Sequence, residues 1–249
     1  MTQYSPTGSV LILGAGSGIA RAVARTFAAA GHPLILAARS EAALNDMAQD
    51  LRLRGGANVT SIAWDLLDEA GAAVWLDKLG VLPDIVVCAA GVLGDQFEQQ
   101  RSAVAADLVM RTNYLAPALL LGEIANRMEV RGSGHIVGIS SVAGDRGRAS
   151  NYLYGSAKAG FTAFLSGLRN RLAKRGVAVI TVKPGFVDTS MTAGMNLPKA
   201  LTAQPEEVAG AILRAVREGR DVIYVRPVWR LIMAIIAHIP ERVFKRLSL

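Results

Sequence analysis

Short apolar runs alternate with longer mixed stretches along almost the whole chain. SVLIL (9–13), PLILAA (33–38), NVTSIAW (58–64), DIVVCAA (84–90), GHIVGIS (134–140), VAVITVK (177–183) and DVIYV (221–225) each read as a strand. Between them, IARAVARTFAAAG (19–31), EAALNDMAQDLRLRG (41–55), EAGAAVWLDKLG (69–80), a long stretch over 101–130, the segment 152–175 and PEEVAGAILRAVREG (205–219) read as helices. Gly31 suits a helix C-cap, and Pro205 with acids beside it suits a helix start. The strands are unbroken apolar runs rather than alternating ones, as a parallel sheet covered on both faces requires. The prediction is an α/β, doubly wound fold with a seven-stranded parallel sheet flanked by helices. Such sheets bind ligands at the carboxyl ends of their strands.

With 249 residues, 51% of them hydrophobic, there is ample material for one core, while 19% charged residues is low enough to suit an oligomer that buries surface. The net charge of +7 raises nucleic acid, an anionic membrane or an anionic ligand as partners. Basic residues are scattered along the first 225 positions without a block, which argues against a nucleic-acid arm. A single cysteine, Cys88, excludes an internal disulfide and fits a reducing compartment. MTQYSPTGSVLIL lacks the basic start of a signal peptide, and no run approaches the ~20 apolar residues of a membrane span, so a cytoplasmic protein is expected.

LILGAGSGIARAV (11–23) places Gly14, Gly16 and Gly18 between the first strand and the first helix. The spacing is G-x-x-x-G-x-A with an extra glycine inside. Glycines let the backbone turn tightly and approach a pyrophosphate, and the following helix offers free N–H groups and partial positive charge. A plain tight turn is the alternative. At the head of an alternating seven-strand chain, the phosphate reading makes the fold Rossmann-type, with residues 1–226 one dinucleotide-binding and catalytic domain. After the second strand, where NAD sites usually carry an acid for the ribose 2′-hydroxyl, the chain has Arg39 and Ser40. An arginine beside a hydroxyl suits a 2′-phosphate, so NADP(H) is favoured and NAD(H) stays open. A solvated arginine next to a helix-capping serine is the bland reading.

NYLYGSAKAG (151–160) holds Tyr154 and Lys158 four residues apart, on one face of a helix. Tyrosine, with a pKa near ~10, is a poor acid at neutral pH unless a nearby cation stabilises its phenolate. A tyrosine tuned in this way can protonate a carbonyl oxygen while hydride reaches its carbon. By itself the pair is equally a solvated helix face. Tyr152 lies off that face and reads as pocket wall or packing. Upstream, the fifth strand ends in Ser140–Ser141, where a serine either bonds a substrate carbonyl or caps a turn. Asn113 sits within a helical stretch that disfavours asparagine, so it has either a specific polar duty or a surface position.

Gly14-x-x-x-Gly18, Asp65, CAAG (88–91), Asn113, Ser141, Tyr154, Lys158 and PGFVDT (184–189) together resemble, in order and spacing, the short-chain dehydrogenases/reductases. The resemblance covers nearly the whole chain. It implies a nicotinamide cofactor and a catalytic Ser–Tyr–Lys–Asn set. Ser141, thirteen residues before Tyr154, would polarise the carbonyl, and Tyr154 would be the acid/base. Lys158 would lower the tyrosine pKa and hold the nicotinamide ribose, and Asn113 would hold a relay water. Gly14, Gly16, Ser17, Gly18 and Ile19 would meet the pyrophosphate, Asp65 and Leu66 the adenine. Ala90 and Gly91 would line the cofactor cleft, and Pro184, Val187 and Thr189 would flank the carboxamide. The chain departs from the family pattern at Ala20, where the last glycine stands, and at Cys88-Ala89, which replace two asparagines that mainly support the sheet.

GVLGD (91–95), RTNYLAP (111–117), the 140–160 segment and HIPERVFKRL (238–247) are similar, more narrowly, to the decaprenylphosphoryl-2-keto-β-D-erythro-pentose reductases. That resemblance implies a polyprenyl-phosphate-linked keto-sugar as substrate and a separate flavin oxidase as partner. VWRLIMAIIAHIPERVFKRLSL (228–249), within an apolar–basic C-terminal segment over 227–249, either lies on an anionic membrane surface, with Trp229 and Phe244 in the interface, or packs between subunits. The loop over 188–205 suits a substrate lid, its methionines and leucines covering an apolar body or simply packing. His32, His135 and His238 share no metal-ligand spacing, so no metal is expected. The competing functions are a reductase of another hydrophobic ketone or alcohol, and a nucleotide-binding scaffold without turnover.

Overall fold

Successive residues of each central strand belong to opposite cores. Val10 and Ile12 of β1 (Val10–Leu13) fall in one apolar cluster, and Leu11 and Leu13 fall in the other. Both faces of these central strands are dry, which is why their apolar runs do not alternate with polar residues. The computed structural model describes residues 4–5, 7–55, 58–68 and 70–247; the expected helix start at Glu69 and the last two residues of the C-terminal segment lie outside the described residues. The remaining strands are β2 (Leu34–Ala38), β3 (Val59–Ala63), β4 (Ile85–Cys88), β5 (Gly134–Ile139), β6 (Val177–Pro184), the two-residue β7 (Phe186–Val187) and β8 (Thr202–Ala203), and β9 (Val222–Val225). Seven of them form one sheet in the order β3-β2-β1-β4-β5-β6-β9, every pair parallel. The expected seven-stranded parallel sheet is present, and its order reverses direction between β1 and β4, where ligand crevices open in doubly wound sheets.

The helices are α1 (Gly18–Ala29), α2 (Glu41–Gly55), α3 (Ala72–Lys78), α4 (Gln96–Gln99), α5 (Ala103–Met110), α6 (Ala116–Arg131), α7 (Tyr152–Leu172), α8 (Pro205–Glu218), α9 (Val228–His238) and α10 (Glu241–Phe244). The cluster containing Ala20, Val23, Phe27, Leu44, Leu51, Val208 and Ile212 places α1, α2 and α8 on one face. The cluster containing Trp75, Leu121, Ile124, Phe161 and Leu165 places α3, α6 and α7 on the other. Each fully buried aliphatic or phenyl side chain here contributes about 1.5–3 kcal/mol by leaving water.

The helix expected over 101–130 is not continuous. A π-helical turn, Arg111–Leu115, separates α5 from α6. Pro117, near the start of α6, has no N–H to donate to the carbonyl of Asn113 four residues earlier, and the α-helical repeat fails there.

The tail corrects a second expectation. Trp229 is buried at 4% exposure, donates from Nε1 to the Leu201 carbonyl (3.1 Å) and meets Phe186 edge-on with centroids 5.2 Å apart. Phe244 lies beneath the Arg146 guanidinium at 4.1 Å. Trp229 is thus packed within its own chain, and Phe244 is partly buried under a cation. The outer face of α9 is different: Val228, Leu231 and Ile235 are exposed, as are Arg230 on the same helix and Arg242, Lys245 and Arg246 further along the chain. Among the described residues, no helix is long and apolar enough to cross a membrane.

Candidate active site

The sheet order sets the site. Loops leaving the carboxyl ends of adjacent strands line one edge in spatial sequence: Asp65 after β3, Arg39 after β2, Gly14–Gly18 after β1, Ala90–Gly91 after β4, Ser141 after β5 and the residues from Pro184 on at β6. From β2 to β5 is three strand spacings, about 14 Å. The expected 2′-phosphate end and the expected chemical end are therefore separated along one continuous edge.

Gly14 has φ +75°, and a Cβ there would come within 2.8 Å of the Ala90 backbone, so the first and fourth loops touch through a glycine. A Cβ on Gly16 would meet nothing within 4 Å. Ser17 caps α1, its hydroxyl accepting from the Ala20 N–H at 3.2 Å. The Thr189 methyl lies 3.2 Å from where Gly18 would carry a Cβ, closing the loop from the β6 side. Ile19 is half-buried behind it, Pro184 and Val187 are buried, and Thr189 caps the short 3-10 turn Ser190–Thr192. Arg39 and Ser40 are exposed. Asp65 is exposed and accepts from the Leu67 N–H at 3.0 Å, while Leu66 is partly buried against the core.

At the other end, Lys158 is only 3% exposed, and its Nζ donates to the Ile139 carbonyl at 3.1 Å. Asn113, on the π turn, is fully buried. Its Nδ2 donates to the Val92 carbonyl (2.7 Å) and the Val109 carbonyl (2.9 Å), and its Oδ1 has no partner among the described residues. Both atoms face Gly91: a Cβ there would lie 2.8 Å from Asn113 Oδ1 and 3.3 Å from Lys158 Nζ. Gly91 thus keeps open a small polar cradle that any side chain would fill. A buried acceptor left unpaired in such a place is what a bound hydroxyl or water satisfies.

Ser140 and Ser141 have separate duties. Ser140 Oγ donates to the Lys158 carbonyl (3.0 Å) and bonds Thr162 Oγ1 (2.6 Å), pinning α7 to the end of β5. Ser141 Oγ accepts from the Ala143 N–H (3.1 Å), and its hydroxyl is near enough to the Tyr154 phenol to favour the ionised form. Tyr154 is half-buried in the first turn of α7, with Lys158 Nζ 5.7 Å from its ring centre. Tyr152 is 43% exposed, away from this cluster. Burial pushes the Tyr154 phenol above its ordinary value, and the neighbouring Ser141 hydroxyl pulls it partly back. Burial pushes Lys158 down to about 8, with Cys88 offsetting a little of that. In the protein alone, burial is the largest influence on the Tyr154 phenol, and the Lys158 ammonium donates to the Ile139 carbonyl.

Ser141, Tyr154, Lys158 and Asn113 converge on one place, and the glycine loop and Thr189 stand beside it. Arg39, Ser40, Asp65 and Leu66 line the far end of the same edge. Two features escaped the sequence reading: the π turn under Asn113, signalled only by Pro117, and the anchoring of α7 by Ser140. Among the described residues there is no group of three or more His, Cys, Asp or Glu side chains fit to hold a metal.

A family model described as short chain dehydrogenase matches residues 9–200. The chain is 38% identical over 242 residues to an uncharacterized oxidoreductase of Mycobacterium tuberculosis, with 96% of each covered. It is 30% identical over 216 residues to the 3-oxoacyl-[acyl-carrier-protein] reductase FabG of Aquifex aeolicus, covering 82% of this chain and 87% of that one. A short-chain dehydrogenase from Sphingobium yanoikuyae, solved in complex with NADPH, superposes with a TM-score of 0.79 at 26% identity, covering 94% of this chain and 97% of that chain. Sheet order, glycine loop and sequence likeness agree: the chain belongs to the short-chain dehydrogenase family of NAD(P)-dependent oxidoreductases.

Proposed function

We propose that the chain is an NADP(H)-preferring ketone reductase with Tyr154 as proton donor. The observation that carries this reading is the convergence at Gly91: Lys158 Nζ and the unpaired Asn113 Oδ1 meet there, with the Tyr154 ring 5.7 Å from that same Nζ and Ser141 near its phenol. The residues fit the cofactor. Gly14, Gly16, Ser17, Gly18 and Ile19 would hold the pyrophosphate, Arg39 and Ser40 the 2′-phosphate, and Asp65 and Leu66 the adenine. Ala90 and Gly91 would line the cleft, Tyr154 and Lys158 would hold the nicotinamide ribose, and Pro184, Val187 and Thr189 the carboxamide. When bound, the reduced nicotinamide supplies a hydride to the carbonyl carbon.

The chain's own residues handle the oxygen. Ser141 donates a hydrogen bond to the carbonyl oxygen, and the Tyr154 O–H delivers the proton that completes the alcohol. A phenol held above its ordinary pKa stays protonated at neutral pH, as a donor must. Charged Lys158 stabilises the phenolate left behind, and Asn113 Oδ1 accepts from a water that returns the proton. A scaffold without turnover has no use for this set.

The substrate we assign has an apolar body. Met191 and Met195, on the excursion between β7 and β8, are 42% and 49% exposed beside the site. A polyprenyl-phosphate-linked 2-keto-pentose fits that surface, and a flavin oxidase acting on the parent sugar is the partner that would generate its ketone. A further hydrophobic ketone, or the 3-oxoacyl thioester named for the Aquifex relative, is the competing class. The apolar outer stripe of α9, with the exposed cations on and beyond that helix, is the face we assign to an anionic lipid surface; a second copy of the chain, in a homo-oligomer, is the alternative cover.

Tyr154→Phe should lower the reduction kcat by about 10²-fold or more while NADPH affinity, read by fluorescence titration, stays within about threefold. Full turnover by that variant would remove Tyr154 as the donor. Arg39→Ala should weaken NADPH by about tenfold, the size of one charge-assisted bond, and leave NADH nearly unchanged; equal losses would refute the 2′-phosphate assignment.

Lys158 gives a pH signature. Above about 8 it is neutral in the fold, whereas in the unfolded chain it stays charged up to 10.5, so unfolding takes up protons in that window. Its contribution to stability therefore rises with pH there. Cys88, raised from 9.0 by burial, acts in the opposite sense above 9, which leaves pH 8–9 to the lysine. Urea unfolding of the protein alone across pH 8–9 should show a steeper rise for the wild type than for Lys158→Met; equal slopes would exclude Lys158 as the group. Sedimentation with phosphatidylglycerol vesicles should be salt-sensitive and lost in Leu231→Glu/Ile235→Glu, and failure of the wild type to bind at low salt would end the lipid assignment.

A further inference from the structure

The short turn that carries Ser141 is fixed at its far end by charges that the chemistry above does not use. Ser141 opens the 3-10 turn Val142–Gly144, and Asp145 closes it, the Asp145 N–H donating to the Val142 carbonyl at 3.1 Å. Asp145 Oδ1 accepts from Lys183 Nζ at 2.6 Å, and Asp145 Oδ2 accepts from the Tyr224 hydroxyl at 3.1 Å. Lys183 Nζ also reaches the Tyr224 oxygen at 3.4 Å. The Lys183 and Asp145 side chains are only 11% and 12% exposed. Lys183 and Tyr224 are cross-strand partners on β6 and β9, and the next residue after Lys183 is Pro184.

The turn has little freedom elsewhere. A Cβ on Gly144 would fall 2.7 Å from both the Ala159 nitrogen and the Lys158 carbonyl carbon, so the turn lies backbone to backbone on α7 beside Lys158. Arg146, the residue after Asp145, donates to the Ala237 carbonyl at 2.9 Å and pairs with Glu241 at 2.6 Å, tying the same segment to the tail helices. A buried ion pair of this kind is weak evidence of stabilisation, because desolving two charges offsets their attraction. What it does provide is a fixed distance between the segments it joins.

We infer that Asp145, Lys183 and Tyr224 form a positioning clamp, one that holds the Ser141 hydroxyl against Tyr154 and sets the Ser141 turn relative to the β6 end that would flank the cofactor. None of the three touches the reacting atoms; they act through Ser141. The inference rests on the reductase reading, and it concerns rate rather than binding. A misplacement of about 1 Å at a catalytic group can cost on the order of 10²-fold.

The test uses the full-length chain, NADPH, and the ketone from an aliphatic and aromatic panel that the wild type turns over fastest. Lys183→Met and Tyr224→Phe should each lower kcat, by about 10²-fold and about tenfold respectively, with KM and the NADPH dissociation constant within about threefold. Lys183→Arg should recover most of the rate. The decisive variant is Asp145→Leu/Lys183→Met, which replaces the pair by apolar groups. It should keep the wild-type Tm and NADPH affinity yet remain as slow as Lys183→Met alone. Recovery of turnover in that apolar pair would make the clamp merely structural and overturn the inference. So would unchanged kcat in Lys183→Met or, should that variant fail to fold, in Tyr224→Phe. If Tyr154→Phe is inactive while the clamp variants are fully active, the positioning claim alone falls; if Tyr154→Phe is fully active, the reductase reading falls first.

Discussion

Burying the ammonium of Lys158 constrains everything around it. An amine at 3% exposure has left its water behind, and among the described residues it is held by one carbonyl, that of Ile139. The cost appears as a pKa brought down to about 8. Such a group is kept in place only if the surrounding backbone cannot relax away from it. Ser140 supplies part of that restraint by bonding the Lys158 carbonyl and Thr162, and Gly91 supplies the rest by leaving Nζ a polar neighbour instead of a methyl group. Asn113 is held to the same cradle by two carbonyls of different segments, Val92 and Val109. Lysine, asparagine and glycine thus share one small space, and each fixes the position of the others.

The parallel sheet makes this local arrangement part of a larger one. With β1, β4, β5 and β6 adjacent and in register, the loops after them cannot avoid one another. Gly14 meets Ala90, Gly18 meets Thr189, and the Ser141 turn lies against α7. The chemistry of the site is therefore assembled from segments separated by up to 175 positions, from Gly14 to Thr189, and with one cysteine in the chain no internal disulfide brings them together. Apolar burial on both faces of the sheet is the force that does so.

The fold was legible because its signal is redundant. Seven unbroken apolar runs, each bounded by helix-forming stretches, leave few alternatives to a doubly wound sheet. Spacing alone puts Tyr154 and Lys158 on one helix face, whereas Ser141 and Asn113 are singled out as a set with them only by the family resemblance. Other features depend on three-dimensional competition and were not legible. The π turn follows from a proline acting on a carbonyl four residues back, a local defect that periodicity averages away. The raised phenol and the lowered ammonium follow from burial, which the spacing of Tyr154 and Lys158 does not reveal. Trp229 and Phe244 had the composition of an interfacial pair, yet they are claimed by Phe186, Leu201 and Arg146, partners from distant parts of the chain.

That inward turn of the tail aromatics changes what the tail is. Phe186 and Leu201 stand at the two roots of the 188–201 excursion, where β7 pairs with β8, and Trp229 grips both. Arg146, five residues past Ser141, binds the α9 end and α10 from the other side. The first face of α9 is thus tied to the base of the excursion beside the site and to the Ser141 turn, while its second face presents Val228, Leu231 and Ile235 outward. One helix of eleven residues therefore carries both the outer apolar stripe and, at its end, the Ala237 carbonyl that Arg146 binds. Trp229 on the inner face of α9 therefore closes the base of the excursion, and Val228, Leu231 and Ile235 lie on the opposite side of the same helix.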